Sequence, residues 1–172
     1  SMVFLGTFNH TEAKPQFSAI AVDARTGKIL FSSDIDGMRH PASLTKVMTL
    51  YVLFQDLKAE RIKLTSDLKV SQRAASMQPS KLGMKPGSAI SVENAIKALV
   101  TRSANDVAAT IGENLEGTEA NFAARMTRVA RAIGMTKTTF KNASGLPNPA
   151  QVTTARDMAT LSLRIQRDFP EY

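Results

Sequence analysis

Apolar and polar residues alternate along two short runs near the start of the chain. Phe17 to Asp23 has the period of a strand, Arg25-Thr26-Gly27-Lys28 is a turn signal, and Ile29 to Ser33 takes up the strand pattern again. Together they predict a β-hairpin with a glycine in its loop. Asp34 to Pro41 is a loop rich in turn formers. From Ser43 onward the chain is apolar on nearly every side, through Leu44, Val47, Met48, Leu50, Tyr51, Val52, Leu53, Phe54 and Leu57. A helix apolar all round is a buried, central one. Proline cannot lie inside it, so it is expected to begin just after Pro41, near Ser43.

The stretch from Ile62 to Gly87 is mixed, with Pro79, Gly83 and Pro86-Gly87 as breakers. Ser91 has the character of an N-cap, and Val92, Ala95, Ile96 and Leu99 form a helix face behind it. A second helix is expected from near Asn105, carrying Val107, Ala108 and Ile111. Thr118 caps the next, whose face is Phe122, Met126, Val129, Ala130 and Ile133 and which Gly134 stops. Asn142 to Pro149 is a rigid loop with two prolines, and Thr154 caps a last helix through Met158, Leu161 and Ile165. The pattern predicts an α+β chain, an N-terminal hairpin followed by a helix-rich body. Two strands alone are marginal, so the hairpin calls for more strands than the sequence obviously supplies.

At 172 residues the chain suits one domain with a sizeable core. Residues 1–16 show no clear period and are taken as a tail or cloning remnant, with the domain running over 17–172. There is no basic-plus-apolar signal peptide at the start, and no apolar run approaches the ~20 residues of a membrane span. The absence of cysteine excludes disulfides, thiolate catalysis and cysteine metal sites. The only histidines, His10 and His40, lack metal-ligand spacing, so neither metal nor cofactor is implied. The net charge of +7 raises nucleic acid as a partner. The basic residues are scattered and there is no tryptophan, so a solvated basic surface is the preferred reading and no nucleic acid is expected.

Ser43-Leu44-Thr45-Lys46 is the central chemical signal. Residues three apart on a helix share a face, so the Ser43 hydroxyl and the Lys46 amine can meet. A serine hydroxyl needs a base, and a lysine serves as one only when its pKa falls well below ~10.4. Burial in an apolar helix and the positive end of the helix dipole both push it down. The spacing itself is short enough to arise by chance, and Ser66-Asp67-Leu68-Lys69 repeats it in a mixed stretch read as surface. Ser103-Ala104-Asn105 is the second signal, at the junction of two helical patterns. There Ser103 can relay a proton and Asn105 can bind a substrate amide through donor and acceptor. Both residue types also suit helix caps. Arg102 and Asp106 flank the motif and could form a simple surface pair.

S-x-x-K followed about sixty residues later by S-x-N resembles the penicillin-recognising serine D-alanyl-D-alanine carboxypeptidases and β-lactamases. The likeness extends to Ala21-Val22-Asp23-Ala24-Arg25-Thr26-Gly27-Lys28-Ile29-Leu30, to Pro41-Ala42 before Ser43, to Phe140 through Leu146, and to Thr153 through Ala159. It implies a β-lactamase/transpeptidase-like fold in the bacterial periplasm or otherwise outside the cytoplasm. By that resemblance Ser43 attacks the penultimate D-alanine carbonyl of a peptidoglycan stem peptide and Lys46 accepts its proton. Ser103 assists proton transfer, Asn105 positions the peptide, and β-lactams acylate Ser43.

The family's third motif, Lys-Thr-Gly or Lys-Ser-Gly, does not occur, and the sheet strands that would carry it are missing with it. The chain is therefore expected to be an N-terminal portion, inactive or much weakened alone, with its hairpin edge free to pair with a missing segment or a second copy. Lys141 to Pro149 holds no acidic residue to activate a deacylating water, so a long-lived acyl-enzyme is expected rather than β-lactamase turnover. A D,D-endopeptidase and a non-catalytic peptidoglycan- or β-lactam-binding module are the alternatives.

Overall fold

The computed structural model describes residues 17–172. The tail assigned to residues 1–16, and His10 within it, lie outside the described residues. The N-terminal hairpin forms as the alternation predicts. Strand β1 (Ala19–Val22) pairs antiparallel with β2 (Ile29–Ser33), from Ala19 opposite Ser33 to Val22 opposite Ile29. Asp23 builds the turn, its Oδ1 accepting from the Arg25 and Thr26 amides at 3.0 and 2.7 Å. Ile29, Leu30 and Phe31 of β2 remain exposed.

Helix α1 (Thr45–Lys58) runs through the centre of the molecule. Met48, Tyr51, Val52, Leu53, Phe54 and Leu57 are all buried, as an all-round apolar helix requires. The expected start near Ser43 resolves into two parts. A single 3₁₀ turn spans Ala42–Leu44, and the α-helix proper begins at Thr45. Helices α3 (Val92–Arg102), α4 (Asn105–Glu116), α5 (Glu119–Ala132) and α6 (Ala155–Asp168) follow the sequence pattern closely. Ser91, Thr118 and Thr154 each cap a helix by accepting a hydrogen bond from the amide three residues on. Val107, Ala108 and Ile111 of α4 pack with Phe122 and Met126 of α5 against α1.

The mixed stretch contains elements the pattern does not reveal. Strand β3 (Asp67–Lys69) pairs antiparallel with β4 (Ala89–Ser91), and the short helix α2 (Gln72–Ala75) lies between them. Strands of three residues send one side chain each inward, here Leu68 opposite Ile90, which leaves no period to detect. Two isolated bridges reach the segment before α6: Arg39 with Thr153 ties it to the approach to α1, and Thr139 with Val152 ties it to the chain after α5. Among the described residues no helix is long and apolar enough to cross a membrane.

Candidate active site

The approach to α1 is bent. Pro41 is buried, Ala42 adopts a positive φ of 47°, and the Leu44 amide closes the turn on the Pro41 carbonyl at 3.1 Å. An alanine rarely takes that conformation, so its surroundings must hold it there. Ser43 follows, exposed, in the 3₁₀ turn. The chain continues from it into α1, where Lys46 is the second residue, so the two lie one turn apart on one side of the helix start.

Lys46 is 4% exposed. Its ammonium donates to Asn105 Oδ1 at 2.8 Å and to the Ser144 carbonyl at 2.6 Å, so neither hydrogen bond goes to Ser43. Both acceptors are neutral, and burial lowers its pKa to about 8. Far more of the molecules then hold a neutral amine near pH 7 than for an ordinary lysine. A buried amine of this kind can take a proton from a neighbouring hydroxyl.

Asn105, 6% exposed, opens α4. Its Oδ1 takes the Lys46 bond, its Nδ2 donates to the Gln78 carbonyl at 2.9 Å, and its backbone amide donates to the Ser80 carbonyl at 2.8 Å. One N–H and one lone pair of the amide group stay available to a ligand. Ser103 is half-buried at the turn between α3 and α4, in the left-handed conformation with φ 50° and ψ 40°. The two sequence signals thus meet through Lys46 and Asn105, with Ser103 two residues away.

Asp106 requires a correction. It is fully buried rather than paired with Arg102 at the surface. Its carboxylate accepts the amides of Leu82, Gly83 and Met84 at 2.9, 2.8 and 3.2 Å. The carboxylate replaces the water those amides would otherwise bind, and its sequence neighbours give no sign of such distant partners. Asn105 and Asp106 therefore hold the segment from Gln78 to Met84 as one wall beside Lys46.

The opposite side is the loop that the two prolines predict. Thr49 donates to the Ala143 carbonyl at 2.7 Å, one turn along α1 from the Lys46–Ser144 contact. A Cβ on Gly145, whose φ is 88°, would fall 1.8 Å from the Ala42 carbonyl oxygen. Only glycine permits that approach. His40 bonds through Nδ1 to the Gln151 carbonyl at 2.8 Å, which gives it a structural place beside the loop. A cavity of about 320 Å³ opens beside Ala42, lined by His40, Pro41, Leu146, Pro147 and Asn148. Sequence reasoning does not single out Thr49, Ser144 or Gly145. Ser144 and the loop contact of Thr49 act on or through backbone carbonyls, for which residue type carries no signal. Gly145 is at most legible as a glycine inside a proline-bounded loop.

A mixed α+β fold with this cleft defines the class: a transpeptidase-like fold of the kind seen in penicillin-binding proteins. The chain belongs to the D-alanyl-D-alanine carboxypeptidase family, which it matches over residues 8–172. It is 39% identical over 158 residues to D-alanyl-D-alanine carboxypeptidase DacC of Escherichia coli, covering 88% of this chain and 40% of that one. The crystal structure of D-alanyl-D-alanine carboxypeptidase DacD from Francisella tularensis matches with a TM-score of 0.87 and 38% identity, over 90% of this chain and 37% of that one. Penicillin-binding protein D2 from Listeria monocytogenes in its ampicillin-bound form matches with a TM-score of 0.74 and 29% identity, over 90% of this chain and 63% of that one. The chain thus spans well under half the length of the two carboxypeptidases.

Proposed function

We propose that the chain carries the nucleophile machinery of a serine D-alanyl-D-alanine carboxypeptidase acting on peptidoglycan stem peptides outside the cytoplasm. The observation that carries this reading is the buried Lys46 amine, bonded only to neutral acceptors and one turn below Ser43. Lys46 takes the Ser43 hydroxyl proton as Oγ bonds to the penultimate D-alanine carbonyl carbon. The N–H groups at the start of α1 favour the negative charge that builds on the carbonyl oxygen. The C–N bond then breaks, and the departing D-alanine amine receives the proton directly from Lys46 or through the Ser103 hydroxyl. Water attacks the resulting ester carbonyl while Lys46 takes its proton, the bond to Ser43 Oγ breaks, Lys46 returns the proton to Oγ, and the shortened peptide leaves as the acid. The free N–H and lone pair of Asn105 orient the substrate amide.

A β-lactam amide opens on Ser43 in the same way. With no carboxylate between Lys141 and Pro149, the ester it leaves is long-lived. Intact-mass spectrometry after prolonged incubation with a penicillin tests this. One added penicillin mass is expected on the unmodified chain and none on Ser43→Ala. An unmodified chain that binds stem peptide yet never gains the adduct would point instead to a binding module.

A further inference from the structure

The segment from Asn142 to Leu146 touches both members of the Ser43–Lys46 pair. The Ser144 carbonyl receives the Lys46 ammonium, while Gly145 presses on the Ala42 carbonyl just before Ser43. The segment has no regular secondary structure, so its shape depends on the side chains that grip its backbone. Some grips are local. Asn142 accepts from the Gly145 amide at 2.7 Å and donates to the Leu146 carbonyl at 2.9 Å, and Gln151 accepts from the Lys141 and Asn142 amides.

One grip comes from elsewhere in the fold. Glu119, the first residue of α5, is 5% exposed. Its Oε1 accepts from the Ala143 amide at 2.9 Å. Its Oε2 accepts from Arg73 of α2, and the same guanidinium also pairs with Glu113 at 3.0 Å. Hydrogen bonds to an ionised acceptor are roughly twice as strong as neutral ones, so this grip is stiff. Thr49 holds the other face of the same residue through the Ala143 carbonyl.

We propose that Glu119, braced by Arg73, is a positioning residue for the Ser43–Lys46 pair. By fixing the Ala143 amide it fixes the Ser144 carbonyl and Gly145, and through them the amine and the bent backbone that presents the serine. The proposal rests on the reading of Ser43 and Lys46 given above. Lys46 has no ion pair among the described residues: of the acids on α1, α4 and α5, Asp56 pairs with Arg61 and Arg125, Glu113 with Arg73, Glu116 with Arg125, Asp106 accepts backbone amides, and Glu119 accepts from Ala143 and Arg73. Its amine is shielded chiefly by burial, so loosening the segment readmits water to it.

The test uses Glu119→Ala and Glu119→Gln in the whole chain. The Lys46 side-chain titration is followed by NMR and acylation by a fluorescent penicillin. Glu119→Ala should raise the Lys46 midpoint towards that of an ordinary lysine and slow acylation about tenfold or more. Glu119→Gln keeps an oxygen for the Ala143 amide but loses the charge that meets Arg73, so both readouts should fall between those of the unmodified chain and of Glu119→Ala. Should Glu119→Ala fail to fold, Thr49→Val removes the grip on the Ala143 carbonyl and should move both readouts the same way. A Lys46 midpoint and acylation rate unmoved in Glu119→Ala or Thr49→Val, or a Gln variant as impaired as the Ala one, would overturn the proposal. Absence of any adduct on the unmodified chain would instead sink the Ser43 reading, and the Lys46 midpoints would still decide the role of Glu119.

Discussion

Ser43-Leu44-Thr45-Lys46 and Ser66-Asp67-Leu68-Lys69 share one spacing and fold in opposite ways. The first bridges a 3₁₀ turn and the start of α1, and its lysine points into the core. In the second, Ser66 accepts from the Lys63 amide at 3.1 Å in the turn before β3, and Lys69 lies exposed at the end of that strand. The Lys69 backbone is tied to Asn114 by its amide and its carbonyl, both at 2.9 Å. On a strand successive side chains alternate faces, so a three-residue spacing separates groups that a helix would bring together. The element that each tetrad enters decides between them: a long apolar helix in one case, a three-residue strand in the other.

Substituting each lysine in turn gives the sharpest contrast. Lys46→Met should abolish penicillin adduct formation, a loss of about 10³-fold or more, whereas Lys69→Met should form it as the unmodified chain does. A comparable loss from both, measured by mass spectrometry on folded samples, would erase the distinction between the two sites. Gly145→Ala comes next. Its new methyl group must displace the Ala42 carbonyl, and acylation should fall about 10²-fold while Lys69 and its surroundings stay undisturbed. The smallest effect is the pH profile. The protonated amine cannot act as a base, so the acylation rate should drop about tenfold per unit as pH falls below about 8 and level off above it. Lys69→Met should leave that midpoint in place, and a profile flat across this range would count against Lys46 as the base.

Much of the helical framework is legible because its signals are local. Ser91, Thr118 and Thr154 read as caps and bind as caps. The apolar circumference of α1 reads as burial, and Tyr51, Val52 and Leu53 are at the centre of the core. Lys46 and Asn105 are legible from spacing and family likeness, and the fold brings them within 2.8 Å of one another. The hidden part depends on distant chain or on backbone atoms. Asp106 lies close to Arg102 in sequence, yet its three partners are more than twenty residues upstream. Glu119 reads as an ordinary acid in a first helical turn, and nothing nearby in sequence announces Ala143 or Arg73. The strands β3 and β4 are too short for a period of two to register.

The carboxylate of Asp106 has a mechanical consequence for the rim of the cleft. Three consecutive amides converging on one sequestered anion give the Leu82–Met84 stretch the rigidity of a helix without its hydrogen-bond ladder. Peeling that rim back would strand an ion away from water, so it opens only together with the body beneath it. That side of the cleft and the body beneath it therefore behave as a single stiff piece, and any adjustment to an arriving ligand falls to other parts of the molecule.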